Sequence, residues 1–192
     1  MRTLIYTAFV SLDGVVDSPG GGAGESHRSA GWTFQDIDFV EEAYEIKGRE
    51  QEEAEAMMLG RVSYEAFAGV WPRMEEFARY KSLPKYVVST TLQENDLVDN
   101  WGEITLLRSL DDVAKVKQGD GGPIIIHGSA TLARNLADAG LLDRYHLLMF
   151  PVLLGAGKRM FSGTDKDKQM LTLTESESYR NGLQKLVYDV VR

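Results

Sequence analysis

The sequence predicts an α/β domain built on a mixed, mostly parallel sheet of about eight strands. Two observations carry this prediction: short apolar runs alternate with helical patterns through most of the chain, and two strand patterns follow one another at the end. The predicted strands cover residues 4–10, 56–59, 86–89, 104–107, 124–126, 141–154, 171–174 and 186–191. Because the 192 residues contain no linker and no repeat, residues 1–192 are predicted to form a single domain.

The most informative stretch is a predicted strand-to-helix junction around Gly128. Three isoleucines at residues 124–126 are too few for a helix and too apolar for a half-exposed strand, so they indicate a central strand covered on both faces. Ser129 or Thr131 is predicted to cap the helix that follows. A glycine at 128 would let a ligand approach the backbone, beside an anion site at the helix start. A plain strand-to-helix turn is the alternative, and this stretch alone does not decide between them.

A second junction of the same kind follows the predicted strand 56–59, at Gly60 and Arg61. A cation at a helix start is disfavoured by the helix dipole, which suggests that Arg61 has an anionic partner. That partner is either a ligand phosphate or Glu65, one helical turn further along the chain.

Several other segments are predicted from turn and helix signals. The first strand closes at Asp13-Gly14, and the glycine-rich residues 17–31 form a loop that is either a flap over a site or a plain surface loop. A helix is predicted to begin at Asp36, with an acidic, solvated face. The strands 171–174 and 186–191 are predicted to pair as a hairpin with a long loop.

Composition excludes several classes of function. The net charge of -8 argues against a nucleic-acid partner. The absence of cysteine, together with the scattered histidines, predicts no metal site. The first strand pattern lacks the features of a signal peptide, and no apolar run approaches the roughly 18 residues of a membrane span. We therefore expect a cytoplasmic protein that binds no membrane.

Taken together, the motifs resemble the dihydrofolate-reductase-like superfamily, and within it the branch that contains the reductase domain of bacterial riboflavin biosynthesis. The resemblance runs from residue 3 to about residue 190. The motifs that carry it are Leu12-Asp13-Gly14, Leu59-Gly60-Arg61-x-Ser63-Tyr64-Glu65, Gly128-Ser129-Ala130-Thr131-Leu132, Gly140-Leu141-Leu142-Asp143 and Pro151-Val152-Leu153-Leu154-Gly155-x-Gly157-x-x-Met160-Phe161.

This resemblance implies a three-layer α/β/α sandwich and a hydride-transfer reductase that uses NADPH and forms a homodimer. It assigns cofactor contacts to four segments: Gly60, Arg61 and Ser63 at the adenosine and pyrophosphate end; Ser89 and Thr90 facing the adenosine 2′-phosphate; Gly128, Ser129, Ala130 and Thr131 at the second pyrophosphate turn; and Leu12, Asp13 and Gly14 beside the nicotinamide. His127, also assigned to the cofactor turn, replaces the first glycine of the family's usual Gly-Gly pair, which makes a cis peptide there less expected.

The substrate side departs from dihydrofolate reductase. Counting from Trp32, the position of the family's substrate-binding carboxylate falls on Ile37, between Asp36 and Asp38. One of these two aspartates is expected to point into the substrate pocket, and a carboxylate or water would supply the proton. The expected function is NADPH-dependent reduction of a small pterin- or pyrimidine-like heterocycle. The alternatives are a riboflavin-pathway reductase acting on a ribosylated aminopyrimidinone, and a non-catalytic nucleotide-binding protein on the same fold.

Overall fold

The structure is a computed structural model that describes residues 1–22, 27–161 and 168–192. Its strands are β1 (Leu4–Ser11), β2 (Ala56–Gly60), β3 (Lys85–Val88), β4 (Ile104–Leu107), β5 (Ile124–His127), β6 (Arg144–Phe150), β7 (Leu171–Ser178) and β8 (Gln184–Val190). Its α-helices are α1 (Glu41–Glu53), α2 (Arg61–Ala68), α3 (Ala78–Ser82), α4 (Leu110–Gln118) and α5 (Ala130–Asp138). Short 3-10 helices lie at Trp71–Arg73, Glu75–Phe77 and Glu94–Asp96.

The strands form one sheet in the order β4-β3-β2-β5-β1-β6-β8-β7. β2 runs parallel to both β3 and β5, and β3 runs parallel to β4. β8 pairs antiparallel with both β6 and β7. The predicted α/β fold with a mixed, mostly parallel sheet of about eight strands is therefore confirmed.

The chain divides into two compact units by its internal contacts. The first unit comprises Met1–Tyr6 and Lys47–Asp143, and the second comprises Thr7–Ile46 and Arg144–Arg192. The prediction that residues 1–192 form a single domain stays a prediction.

The core of the first unit consists of the central strands and the aromatic side chains packed on them. Met57, Leu59, Val87 and Ile125 are almost completely buried, as expected for short apolar strands in the middle of a parallel sheet. Three buried aromatic side chains belong to this cluster: Tyr64, Tyr80 and Trp101. Three partly buried aromatic side chains pack against it: Phe67, Trp71 and Phe77. This packing fixes the carboxyl ends of β2, β3 and β5; the glycine junctions follow β2 and β5.

The core of the second unit is built around Trp32 and Phe150. Their rings meet edge to face with centroids 5.3 Å apart, and Phe9 packs on Phe150 in the same way at 5.5 Å. The indole N–H of Trp32 donates a hydrogen bond to the carbonyl of Asp17 at 2.8 Å. The described part of the loop predicted over residues 17–31 is therefore tied to this core, while residues 23–26 of that loop lie outside the described residues.

Two predicted boundaries are wrong. The helix expected from Asp36 begins at Glu41, because Asp36 has a left-handed backbone with φ of 57° that cannot continue into an α-helix. The strand expected over residues 141–154 is only β6, Arg144–Phe150. The N–H groups of Leu141 and Leu142 bond back to the carbonyl of Leu136 and so end α5, and Pro151 ends the strand.

The hairpin is confirmed, but its expected long loop is wrong. β7 continues to Ser178 and β8 starts at Gln184, so only a tight turn joins them, with Gly182 at φ of 86°. Most of β7 is exposed on both faces of the sheet edge. Its polar second half therefore shows no apolar alternation from which the full strand could be predicted. Among the described residues, no helix is both long and apolar enough to cross a membrane.

Candidate functional site

Two serine hydrogen bonds join the glycine junctions that end β2 and β5 in the first unit. The backbone N–H of Gly60 donates to Oγ of Ser129 at 2.9 Å, and the backbone N–H of Ser129 donates to Oγ of Ser63 at 2.8 Å. Each junction thus supplies a hydroxyl to a backbone N–H of the other. We call these two bonds the serine lock; it holds the first turns of α2 and α5 side by side.

The turn after β5 has a strained backbone. Gly128 and Ser129 both adopt left-handed conformations, with φ of 56° and 53°. A Cβ atom at position 128 would lie 3.1 Å from Oγ of Ser63 and 3.4 Å from the ring of Phe67, so the tight space adds to the preference for glycine that the positive φ sets. Non-glycine residues in this region are uncommon and cluster at functional sites, so the conformation of Ser129 marks this turn as a candidate site.

The predicted capping of α5 is wrong. Ser129 occupies the N-cap position, but no side chain caps this helix, because the Ser129 hydroxyl is used in the serine lock. Helix α2 likewise has no side-chain cap, since its N-cap residue is Gly60. The first N–H groups of an α-helix have no intrahelical acceptor, and two such helix starts lie next to each other here. This arrangement suits an anion with two negative groups, as in a pyrophosphate.

Arg61, the first residue of α2, carries a half-exposed guanidinium. Its Nη1 lies 3.0 Å and 3.1 Å from the two carboxylate oxygens of Glu65, so the intrahelical ion pair considered from the sequence is present. Within the described part of the chain, its Nε and Nη2 groups make no hydrogen bond and so remain available to a ligand.

The turn after β3 is held by Arg108, which the sequence reasoning missed. The Ser89 hydroxyl accepts hydrogen bonds from the N–H groups of Thr91 at 3.2 Å and Leu92 at 3.0 Å. Nη1 of Arg108 donates to the carbonyls of Ser89 at 2.9 Å and Leu92 at 2.6 Å. Thr90 is left exposed at the tip. The sequence does hold a signal for this contact, because Arg108 directly follows β4. Since β3 and β4 are neighbouring parallel strands, they end at the same edge of the sheet, which brings Arg108 to the turn after β3.

The imidazole of His127 lies in the aromatic cluster of the first unit. Its Nε2 is 2.8 Å from the hydroxyl of Tyr80, and its ring meets Trp71 edge to face at 5.3 Å. The backbone of His127 is therefore the part best placed to contact a cofactor at the glycine turn. The peptide bond between His127 and Gly128 is trans, like every peptide bond in the described residues. Burial lowers the pKa of His127 from 6.5 to about 4, with Glu50 opposing and Lys47 adding to the shift.

We predict that His127 makes the stability depend on pH below neutrality. The unfolded chain takes up a proton at His127 as the pH falls below 6.5, whereas the folded protein does so only near pH 4. Stability from this residue therefore falls as the pH drops from 6.5 to 4, by at most about 1.4 kcal/mol per pH unit. Urea unfolding of wild type and His127→Gln between pH 4 and 7.5 measures it. If the unfolding free energies of the two proteins change with pH in the same way, the prediction is contradicted.

Ser63→Ala is predicted to weaken both the fold and cofactor binding. Without the hydroxyl, the N–H of Ser129 loses its acceptor at a strained turn, which costs about 1–2 kcal/mol of unfolding free energy. The expected ligand of this turn is the pyrophosphate that NADPH and NADH share, so we predict that affinity for both cofactors falls alike. Urea unfolding and fluorescence titration measure the two effects. Ser82→Ala, which removes an exposed hydroxyl, is the control. Equal changes in unfolding free energy and in cofactor affinity for the two variants would contradict a role of the serine lock.

In the second unit, Asp13 holds the loop that follows β6. Its carboxylate accepts hydrogen bonds from the Ser11 hydroxyl at 2.6 Å and from the N–H groups of Leu154 at 3.1 Å and Gly155 at 2.9 Å. These bonds, led by that of Ser11, keep the pKa of Asp13 well below its usual value. Asp13 is therefore ionised at neutral pH and unsuited to donate a proton. Beside it, Leu12 is exposed and Gly14 turns the chain at φ of 83°.

Both predicted catalytic aspartates are exposed. Asp36 and Asp38 lie in the irregular segment before α1, and the carbonyl of Asp38 accepts a hydrogen bond from the side chain of Asn181 at 2.8 Å. The expected helix N-terminus at Asp36 is wrong, so the helix dipole gives neither carboxylate special stabilisation. Their contact with substrate stays a prediction. The described residues contain no cluster of three or more metal-ligating side chains.

Comparison with known sequences gives a match over nearly the whole chain. The model of the RibD C-terminal domain family matches residues 2–185. The YyaP protein of Bacillus subtilis strain 168 is 26% identical over 196 residues, covering 97% of this chain and 94% of YyaP.

Solved structures share the fold. A provisionally named riboflavin biosynthesis protein from Shewanella sp. PV-4 superposes with a TM-score of 0.74 at 19% identity, covering 99% of both chains. A pyrimidine reductase-like protein from Corynebacterium diphtheriae superposes with a TM-score of 0.63 at 15% identity, covering 99% of this chain and 92% of the other. Enterococcus faecalis dihydrofolate reductase, complexed with NADP(H) and RAB-propyl, superposes with a TM-score of 0.60 at 12% identity. The superposition covers 99% of this chain and 97% of the reductase. At these identities the likeness shows the fold alone.

Proposed function

Because the chain belongs to the RibD C-terminal domain family, we propose that it is an NADPH-dependent reductase of a small pterin- or pyrimidine-like heterocycle. The observation that best supports this proposal is the serine lock, which holds two uncapped helix starts side by side at glycine turns. One glycine turn is a weak signal, but two joined turns at the ends of β2 and β5 fit the pyrophosphate of a dinucleotide.

The residues of the first unit fit the phosphates of NADPH. The N–H groups at the starts of α2 and α5, with Gly60, Ser63, Gly128, Ser129, Ala130 and Thr131 around them, would hold the pyrophosphate. Arg61 and the turn of Ser89 and Thr90 would hold the 2′-phosphate. When bound, NADPH supplies the hydride. The contact of Leu12, Asp13 and Gly14 with the nicotinamide belongs to the same proposal.

The proton is proposed to come from water or from Asp36 or Asp38. Asp13 does not serve as the donor, because its hydrogen bonds keep it ionised. A ribosylated aminopyrimidinone of riboflavin biosynthesis is the alternative substrate. This alternative is included because the names of the Shewanella and Corynebacterium proteins refer to riboflavin biosynthesis and pyrimidine reduction.

The function is tested by following NADPH oxidation against a panel of heterocycles that includes dihydropterins and a ribosylated aminopyrimidinone. Turnover of one class, abolished by a variant at the serine lock, would support the reductase. Saturable NADPH binding with no turnover of any member would favour a non-catalytic nucleotide-binding protein.

A homodimer is proposed as the assembly. The supporting observation is the edge of the sheet, where Met170, Leu173 and Val191 leave about half of their surface exposed on or next to β7 and β8. Light scattering at micromolar concentration tests this proposal, and a monomer mass would contradict it.

A further inference from the structure

We propose that Glu65 limits the preference for NADPH over NADH by competing with the 2′-phosphate for the Arg61 guanidinium. This inference rests on the proposed function, because it requires that the cofactor bind at the start of α2. It assigns a specificity role to a residue that is not itself a ligand of the cofactor.

The geometry of the pair shows the competition. Nη1 of Arg61 lies 3.0 Å and 3.1 Å from the two oxygens of Glu65. Arg61 is the first residue of α2, and Glu65 lies one turn further toward its C-terminus. The pair therefore draws the guanidinium along the helix, away from Gly60 and the helix start, where an anion is favoured.

The ion pair between Arg61 and Glu65 is weak enough for a phosphate to take the place of Glu65. Both side chains are 47% exposed, so solvent screens their attraction. An ion pair at this spacing with the cation on the N-terminal side has the less favourable of the two orientations. A phosphate dianion carries more charge than one carboxylate and lies at the favourable end of the helix dipole, so it would displace Glu65 from Arg61.

Glu65 then acts against NADPH in two ways. Its carboxylate must release Arg61 before the arginine can bind phosphate, and its negative charge remains about one helical turn from the bound dianion. The first effect requires the 2′-phosphate, which NADH lacks, and the second is larger with that dianion present than with the pyrophosphate alone. Glu65 therefore lowers the affinity for NADPH far more than the affinity for NADH.

The test is equilibrium fluorescence titration of Glu65→Gln with each cofactor. Glu65→Gln is expected to bind NADPH about two- to fivefold more tightly than wild type, with a smaller change for NADH, and the gain should shrink as salt rises. Glu75→Gln makes the same charge change at an exposed position on the neighbouring 3-10 helix and should change neither affinity. Thermal unfolding without cofactor checks that all variants fold equally well.

The double variant Arg61→Ala/Glu65→Gln separates competition from general repulsion. If Glu65 acts through Arg61, most of the gain disappears when Arg61 is absent. An unchanged or weaker NADPH affinity in Glu65→Gln, or an equal gain for both cofactors, would overturn the inference while leaving the proposed function intact. A wild-type protein that binds neither cofactor would instead overturn the proposed function, and this inference with it.

Discussion

Lys85→Met is expected to lower the free energy of unfolding by about 2–4 kcal/mol. Lys85 is completely buried, and its ammonium donates hydrogen bonds to the carbonyls of Tyr80 at 2.5 Å, Lys81 at 3.1 Å and Leu83 at 2.7 Å. These carbonyls end α3, so the lysine supplies both donors and a positive charge where the helix dipole favours one. Burial lowers the pKa of Lys85 to about 8, which leaves it mostly protonated at neutral pH.

Methionine fills a similar volume but satisfies none of these carbonyls, and the loss of three bonds to a charged donor outweighs the relief from burying a charge. Urea unfolding at pH 7 measures the change. Lys81→Met is the matched control, because Lys81 lies on the same helix with its side chain exposed, and its effect should stay within about 0.5 kcal/mol. A loss below 1 kcal/mol for Lys85→Met would show that the three bonds do not stabilise this end of α3.

Arg61→Ala is expected to weaken NADPH binding about tenfold to hundredfold and NADH binding little. A charge-assisted contact between Arg61 and the 2′-phosphate is worth roughly 1.5–3 kcal/mol, and NADH has no such phosphate. The difference between the two cofactors should shrink as salt rises. Fluorescence titration of both cofactors at two salt concentrations measures it.

Arg73→Ala is the control for this experiment, because it removes an equally charged, exposed side chain from the same unit. If Arg61 serves only its ion pair with Glu65, its removal would cost under about 1 kcal/mol of stability and change both cofactor affinities equally. Equal weakening of NADPH and NADH, or none, would therefore rule out the phosphate contact.

The sequence was sufficient to predict the two glycine junctions because their signals are local. The apolar runs before Gly60 and Gly128 identify buried strands, and a glycine followed by a helical pattern identifies each turn. The full length of β7 escaped prediction, because an edge strand exposed on both faces has no apolar alternation.

Side-chain partnerships across the fold could not be predicted. Ser129 suits a local N-cap by type, yet its hydroxyl binds Gly60, 69 residues away, once β2 and β5 are neighbours. Lys85 stands at the start of an apolar strand, and only the fold brings its ammonium to the end of α3. His127 was assigned to the cofactor turn, but strand alternation directs its imidazole toward Tyr80. These pairings depend on strand register and packing, which one sequence does not reveal.

The reductase proposal is tested most directly by an equilibrium titration of the wild-type protein with NADPH and with NADH, followed by cofactor fluorescence. We predict saturable NADPH binding with one site per chain, tighter than that of NADH and weakened by salt. No saturable binding at millimolar NADPH would contradict the reductase proposal.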